Sequence, residues 1–303
     1  MLNQESTSKT FVRDPIIGSI RGKWFPIFSY FWSKWKMMKI KLLIENTAFQ
    51  TKVAAEHGLS ILIEENDRRI VFDTGQTDAF LRNSKIYELD PDSIESIVLS
   101  HGHYDHTGGL ASLLQVNKHA KVYAKSTFRL FKSKTTGEYI GTPNLDLIPQ
   151  KRIEIVNQRT EILPNVFIMP NIEIFDEKET HFTHFKIKEG DEMLDDRFDD
   201  ELYLAIVKDK ELSIISGCAH RGITNILRSA QKEFGLPIRL ILGGLHTSKE
   251  PDEEVISLAE TLDTFHIKDI YVCHCTGIDK YAILKQKCKA NVHYASTGVN
   301  IFL

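Results

Sequence analysis

The sequence predicts a layered, mixed α/β domain, because short apolar strands and amphipathic helices follow one another along most of the chain. Its 303 residues are enough for one large core or two small ones. Apolar residues account for 42% of the chain and charged residues for 26%, proportions that exclude a mostly disordered or fibrous protein. From Met38 onward, the early half has the pattern of hairpins, and the late half alternates strands with helices.

Turn-forming residues bound the predicted elements. Lys39–Glu45 is predicted as an opening edge strand, and Leu59–Glu65 with Arg69–Asp73 as a hairpin. Ile94–Ser100 is the next predicted strand. Later strands are predicted at 120–124, 165–169, 202–208, 211–216, 238–242, 269–273 and 291–294, and helices at 77–83, 109–117, 222–233, 252–265 and 277–287. Residues 132–200 are rich in charges and turn formers, and we expect them to form an insertion that covers part of the domain.

Residues 1–37 differ in composition from the rest of the chain. All three tryptophans lie there, and basic residues outnumber acidic ones. Four aromatic residues fall on one face of a predicted helix: Trp24, Phe28, Phe31 and Trp35. Three interpretations remain open for this extension. It is a helix docked on its own domain or on a second copy in a homodimer, it precedes a natural start at Met37 or Met38, or residues 24–35 contact a membrane surface.

Charge and cysteine content exclude several classes of protein. Lys and Arg number 38 against 41 Asp and Glu, for a net charge of −3, so we predict no nucleic-acid partner. No apolar run approaches the roughly 20 residues that span a bilayer. The four cysteines contain no CxxC pair, so a disulfide-built secreted scaffold is excluded and a reducing cytoplasm is the expected location.

One short segment concentrates residues that bind metals. Directly after an apolar strand and before a predicted helix stand His101, His103, Asp105 and His106. For a purely structural role this is a costly pattern, because each side chain would need its own polar partner. Imidazole and carboxylate suit Zn, Fe or Mn instead. Alternate residues of an extended segment point to the same side, so His101 and His103 are predicted to bind one ion, and Asp105 and His106 a second.

This segment resembles the metal motif of the metallo-β-lactamase superfamily. Four blocks along the chain also resemble, in order, those of the branch that contains the dihydropterin–ribofuranosylaminobenzene phosphate synthases: Val71–Gly75, Ser216–Gly222, Gly243–His246 and Cys273–Gly277. The resemblance covers roughly residues 38–303. It implies a four-layer αβ/βα sandwich with a dinuclear metal site between its two sheets.

The resemblance also implies ligands from later in the chain. His274 follows a predicted strand and would be the last histidine of the second ion, whereas His220 is assigned to the first ion beside His101 and His103. His184 competes with His220, because some members of the superfamily take a histidine from such a position. Cys218 stands where the superfamily usually has a bridging aspartate, and it is either a thiolate ligand or a small packing residue.

Several neighbouring residues have weaker signals. Asp73 either accepts a hydrogen bond from a ligand imidazole or caps a turn. His246 is expected to contact the substrate or a ligand side chain. The acidic run between Asp191 and Glu201 is expected to be a solvated loop. The remaining histidines and two cysteines are interpreted as surface or packing residues: His57, His119, His266, His293, Cys275 and Cys288.

These residues predict a metal-dependent hydrolase. Two divalent transition-metal ions, with Zn as first choice and Fe or Mn as alternatives, would hold a water and convert it to a hydroxide nucleophile at neutral pH. Asp105 is the predicted catalytic residue, and the substrate is a small phosphoester, lactone or thioester. Two alternatives stay open: a pterin transferase like the synthases of the branch, and a metal-binding regulator on the same fold that does not turn over substrate.

Overall fold

Two seven-stranded sheets organise the computed structural model, which describes residues 37–303. In spatial order the first sheet consists of β17 (Asn300–Phe302), β1 (Lys39–Ile44), β2 (Ser60–Glu65), β3 (Arg68–Phe72), β4 (Ser96–Val98), β5 (Lys121–Ala124) and β7 (Ile153–Ile155). The second consists of β16 (Asn291–Tyr294), β15 (Asp269–Val272), β14 (Ile238–Gly243), β13 (Glu211–Ile215), β12 (Tyr203–Lys208), β9 (Val166–Met169) and β8 (Thr160–Leu163). The domain therefore consists of two halves, each built on a seven-stranded sheet.

Both sheets combine a parallel and an antiparallel part. In the first sheet the strands from β17 to β3 pair antiparallel, and those from β3 to β7 pair parallel. The second sheet is parallel from β16 to β13 and antiparallel from β13 to β8. Because the carboxyl ends of parallel strands meet at one edge, the loops after β3 and β4 are neighbours, as are those after β13, β14 and β15.

Helices cover the outer face of each sheet. Against the first sheet pack α1 (Ala79–Ile86) and α3 (Leu110–Val116), and against the second pack α4 (Ile223–Phe234), α5 (Asp252–Asp263) and α6 (Ile278–Lys287). The strands alternate accordingly: Ile61 and Ile63 of β2 join the core between the sheets, whereas Leu62 packs under the helices. The order is helix, sheet, sheet, helix, which confirms the predicted four-layer sandwich.

The predicted elements lie close to the observed ones, with two informative differences. The strand at Lys39 is not at an edge, because the carboxyl-terminal β17 pairs outside it with Phe302 opposite Lys39. The strand predicted at 94–100 is shorter, because a 3₁₀ turn at Pro91–Ser93 precedes it and the backbone leaves the sheet after Val98. Neither pairing nor strand length could be read from apolar runs alone.

The segment 132–200 is more than a cover. Its ends form a separate three-stranded sheet of β6 (Lys132–Lys134), β10 (Phe185–Glu189) and β11 (Glu192–Asp195). Its middle supplies β7 to the first sheet and β8 and β9 to the second. The structure therefore differs from the expected insertion, since both main sheets are completed from within this segment.

Residues 1–36 lie outside the described residues. The expectations for the 1–37 extension, including the aromatic helix face, the homodimer and the membrane contact at residues 24–35, therefore remain predictions. Within residues 37–303, no helix combines the length and the apolar character needed to cross a membrane.

Candidate metal centre

The histidine motif lies at the carboxyl end of β4. His101 follows the strand, and His103 has extended backbone angles just before the one-turn helix α2 (Tyr104–Thr107). This short helix carries Asp105 and His106. The motif runs so close to the loop after β3 that a Cβ added at Gly108 would lie 2.0 Å from the carbonyl oxygen of Gln76. Glycine is thus required where the motif turns into its second helix.

Three histidines form the first cluster. Ring nitrogens of His101, His103 and His220 lie within 4.8 Å of one another, and all three side chains are buried. Nε2 of His101, Nε2 of His103 and both ring nitrogens of His220 have no hydrogen-bond partner. Buried polar atoms are normally satisfied, so a convergent set of orphaned nitrogens fits a metal ion.

The imidazoles of the first cluster are held in the neutral form. Burial holds the pKa of His101 and His103 well below the ordinary value, and nearby positive charges, among them His106 and Lys132, add to the effect. Burial likewise lowers the pKa of His220. These imidazoles are therefore neutral at pH 7, and a neutral imidazole has the free lone pair that a metal requires.

A second cluster adjoins the first. Nε2 of His106 lies 3.1 Å from Nε2 of His274 and 3.1 Å from Sγ of Cys218. Oδ2 of Asp105 lies 3.4 Å from Nε2 of His274. The rings of His101 and His106 have centroids only 4.2 Å apart, so the two clusters form one continuous centre.

Asp73 orients the histidines of the motif. Its Oδ2 lies 2.7 Å from Nδ1 of His106 and 2.7 Å from the Ser100 hydroxyl, which in turn lies 2.9 Å from Nδ1 of His101. With a proton held on Nδ1 of His106 by Asp73, Nε2 is the nitrogen that would be available to an ion. Burial lowers the pKa of His106, but Asp73 and Asp105 outweigh burial and raise it to about 9. The same two carboxylates would favour a metal cation at Nε2.

The structure brings His220 into the centre and leaves His184 outside it. Both backbone N–H groups of His220 and Arg221 donate to the Glu201 carboxylate at 2.7 Å, and the Phe198 ring stacks on His220 at 3.7 Å. His184 is exposed on a turn, where its carbonyl accepts a hydrogen bond from the Thr135 N–H. Within residues 37–303 it belongs to no group of candidate ligands.

A buried lysine lies behind the first cluster. Nζ of Lys132 lies 2.5 Å from Oδ2 of Asp196 and 3.0 Å from Oδ1 of Asp200, and all three side chains are buried. The other oxygen of Asp200 accepts the N–H of Gly102, between the two motif histidines. Part of the acidic run expected to be a solvated loop is therefore an internal ion-pair network.

Several residues near the centre were not expected there, and two of them, His57 and Cys275, were interpreted from the sequence as surface or packing residues. His57 Nε2 lies 3.1 Å from Oδ2 of Asp105, and that hydrogen bond raises the pKa of His57. Nδ1 of His274 lies 2.9 Å from Oδ1 of Asn46. Cys275 joins Cys218 and His274 in one candidate ligand group. His57 and Asn46 come from the loop between β1 and β2, whose approach depends on tertiary structure and not on motif spacing.

His246 lies beside the first cluster. Its ring centroid is 4.2 Å from that of His220 and 5.1 Å from that of His181, and its Nδ1 is buried without a partner. The predicted contact with a ligand side chain is compatible with this position. A substrate contact remains a prediction.

Comparison with known proteins agrees with this fold. Residues 54–209 match the family described as the metallo-beta-lactamase superfamily. The chain is 30% identical over 282 residues to a 7,8-dihydropterin-6-methyl-4-(beta-D-ribofuranosyl)-aminobenzene-5'-phosphate synthase of Methanocaldococcus jannaschii, covering 86% of this chain and 95% of that protein. An uncharacterized protein of the same organism is 32% identical over 255 residues, covering 82% of this chain and 94% of that protein.

Solved structures show the same architecture. A metal-dependent hydrolase of the beta-lactamase superfamily superposes with a TM-score of 0.78 at 27% identity, covering 87% of this chain and 98% of that one. A metallo-beta-lactamase fold protein from Bacillus subtilis, at 12% identity and a TM-score of 0.55, shares the fold over 88% of this chain and 100% of its own.

The fold and the histidine centre thus define a metal-binding enzyme class. The chain belongs to the metallo-β-lactamase superfamily. It is an enzyme of that superfamily, similar to the methanogen synthase over most of its length.

Mutation of the two competing histidines has a clear expected outcome. His220→Ala should weaken the affinity for transition metal by about 10-fold or more, because it removes a buried, unpartnered imidazole from the first cluster. His184→Ala, the matched control, should leave affinity unchanged. Titration against a chromophoric chelator measures both, and loss of affinity in His184→Ala alone would show that His184 is the ligand.

Proposed function

We propose that the protein is a metal-dependent hydrolase with a dinuclear centre of divalent transition-metal ions, Zn first among them. The observation that carries the proposal is the convergence of buried histidine nitrogens without hydrogen-bond partners in the first cluster, next to the second cluster. We assign His101, His103 and His220 to one ion, and Asp105, His106 and His274 to the other. Cys218 is a candidate seventh ligand.

Bound ions would supply an acidified water and would polarise the substrate oxygen on which charge develops. The protein contributes the orientation of the reacting groups. Asp105 lies at the edge of the second cluster, where its carboxylate can accept a hydrogen bond from the attacking water. His57 lies 3.1 Å from that carboxylate and its side chain is 54% exposed, so it links the buried acid to solvent. A proton taken up at Asp105 can leave by this route.

The substrate class follows from this chemistry. A small phosphoester, lactone or thioester presents an electrophilic centre together with an oxygen that the ions can hold. Free thiols at all four cysteines are compatible with the expected cytoplasmic location. We assign no nucleic-acid partner, since the net charge is −3.

A pterin transferase is the second candidate. It is supported by the 30% identity to the methanogen synthase, which extends over 95% of that protein. In such a reaction the same ions would bind a pyrophosphate leaving group. The third candidate, a regulator without turnover, is supported by the absence of an acid between Leu212 and His220, where Cys218 takes the usual bridging position.

The test is activity after removal and return of the metal. Chelated protein should be inactive against aryl phosphodiesters, lactones and thioesters, and one class should be hydrolysed again after Zn, Mn or Fe is restored. Release of pyrophosphate from a pterin pyrophosphate with an arylamine acceptor would instead identify the transferase. Tight metal binding without turnover in either assay would favour the regulator and contradict the hydrolase.

A further inference from the structure

The second cluster is short of negative charge. Asp73 hydrogen-bonds Nδ1 of His106, and Glu45 accepts the backbone N–H of His274 at 3.1 Å. Neither acid therefore lies at the two Nε2 atoms of these histidines, which face each other in the second cluster. Asp105 is the acid that the candidate ligand groups place there. One carboxylate leaves most of the charge of two divalent cations uncompensated in a buried site, which is costly.

Cys218 offers a donor at this place. It is 3% exposed, and its Sγ lies 3.1 Å from Nε2 of His106, the nitrogen that also lies 3.1 Å from Nε2 of His274. The turn after β13 presents it directly, two residues before His220. A sulfur in this position reaches the second cluster without any rearrangement of the strands.

Cys275 provides a second sulfur beside Cys218. Sγ of Cys275, Sγ of Cys218 and a ring nitrogen of His274 all lie within 4.8 Å of one another. The backbone N–H of His246 donates to the Cys275 sulfur at 3.3 Å, a contact that stabilises a thiolate. A Cβ added at Gly244 would lie 2.4 Å from this sulfur, so a glycine makes room for it. The backbone of His246 and the missing side chain of Gly244 thus hold a space at the centre for this sulfur.

We propose that Cys218 and Cys275 are a pair of thiolate ligands for the ion at His106 and His274. The inference rests on the proposed metal centre and deepens it. On binding, each S–H bond breaks, its proton passes to solvent, and the sulfur lone pair binds the ion. Two thiolates together with Asp105 offset three of the four positive charges. Thiolate donors favour zinc or cadmium over manganese, so the pair would select among the several metals that histidine and aspartate can bind.

Cobalt substitution under reducing conditions tests the pair. The chelated full-length protein is loaded with Co²⁺, and its absorption spectrum is recorded. We expect an intense near-ultraviolet sulfur-to-cobalt charge-transfer band. Cys218→Ser and Cys275→Ser should each lose about half of this band, and the double variant should lose it entirely, because a hydroxyl is a poor ligand in place of a thiolate. The control is Cys288→Ser, which should leave the band unchanged because Cys288 lies at the carboxyl end of α6 and belongs to none of the candidate ligand groups of residues 37–303.

The outcomes separate this inference from the proposed function. Two bound Co²⁺ ions without a sulfur band in the unmodified protein would overturn the thiolate pair and leave the dinuclear centre standing. A band lost completely in one single variant and unchanged in the other would also overturn the pair. Failure to bind Co²⁺ at all would contradict the metal centre itself. Because the unmodified protein gives the first result alone, the test does not depend on the folding of any variant.

Discussion

Asp105→Asn is expected to lower the turnover number of the metal-loaded protein by about 100-fold or more, the scale of an acid–base or charge-stabilising group. Burial raises the pKa of Asp105, but His106 and the hydrogen bonds from His274 and His57 outweigh burial and hold it well below the ordinary value. The group is therefore a carboxylate at neutral pH. Asparagine keeps its shape but removes the charge and one acceptor oxygen. Steady-state kinetics and metal titration on the same preparation measure the effect.

The matched control is an aspartate beside a histidine at the surface. Asp92 lies 3.6 Å from His119, and both side chains are more than half exposed. Asp92→Asn should leave turnover and metal content unchanged. If Asp105→Asn retained nearly full turnover with both ions bound, Asp105 would not have the catalytic role that we assign to it.

Lys132→Met is expected to lower the free energy of unfolding by about 3–5 kcal/mol, as for removal of one partner from a buried ion pair. Methionine preserves much of the volume but leaves two buried carboxylates, Asp196 and Asp200, without their cation. Asp200 also holds the Gly102 N–H between His101 and His103, so metal affinity should fall with stability. Urea unfolding of the chelated protein measures the first effect, and chelator competition measures the second.

Lys134→Met provides the comparison on the same strand. Lys134 pairs with Glu138 at 2.7 Å, but both side chains are about half exposed, and such surface pairs contribute about 0–1 kcal/mol. Equal, small losses of stability in both variants would mean that the Lys132 network does not support the fold. The prediction requires Lys132→Met to lower the free energy of unfolding much more than Lys134→Met does.

The proposed metal motif could be predicted from the sequence because its geometry is local. His101, His103, Asp105 and His106 lie on one strand end and one helical turn, so their spacing alone predicts which side chains converge. His274 was accessible in part, since it follows a recognisable strand. The four-layer fold could be predicted from the alternation of strands and helices together with the family resemblance.

Features that depend on tertiary contacts were not predictable in this way. His57 reaches Asp105 from a loop with no metal-ligand spacing, and Cys275 resembles any small buried residue until the turn after β13 places Cys218 beside it. The buried position of Lys132 depends on a three-stranded sheet whose strands are separated by about fifty residues of chain. β17, at the carboxyl-terminal end of the sequence, pairs with the edge of β1. In each case the partner is distant in sequence and has no periodic signature.

Metal stoichiometry tests the central claim most directly. Full-length protein expressed in medium supplemented with zinc, manganese and iron, and purified without chelator, should contain close to two transition-metal ions per chain by elemental analysis. His101→Ala with His103→Ala should reduce this to one ion or fewer. Two ions in the unmodified protein and their loss in the double variant are the result that the dinuclear centre predicts, whereas protein without bound transition metal after supplemented expression would contradict it.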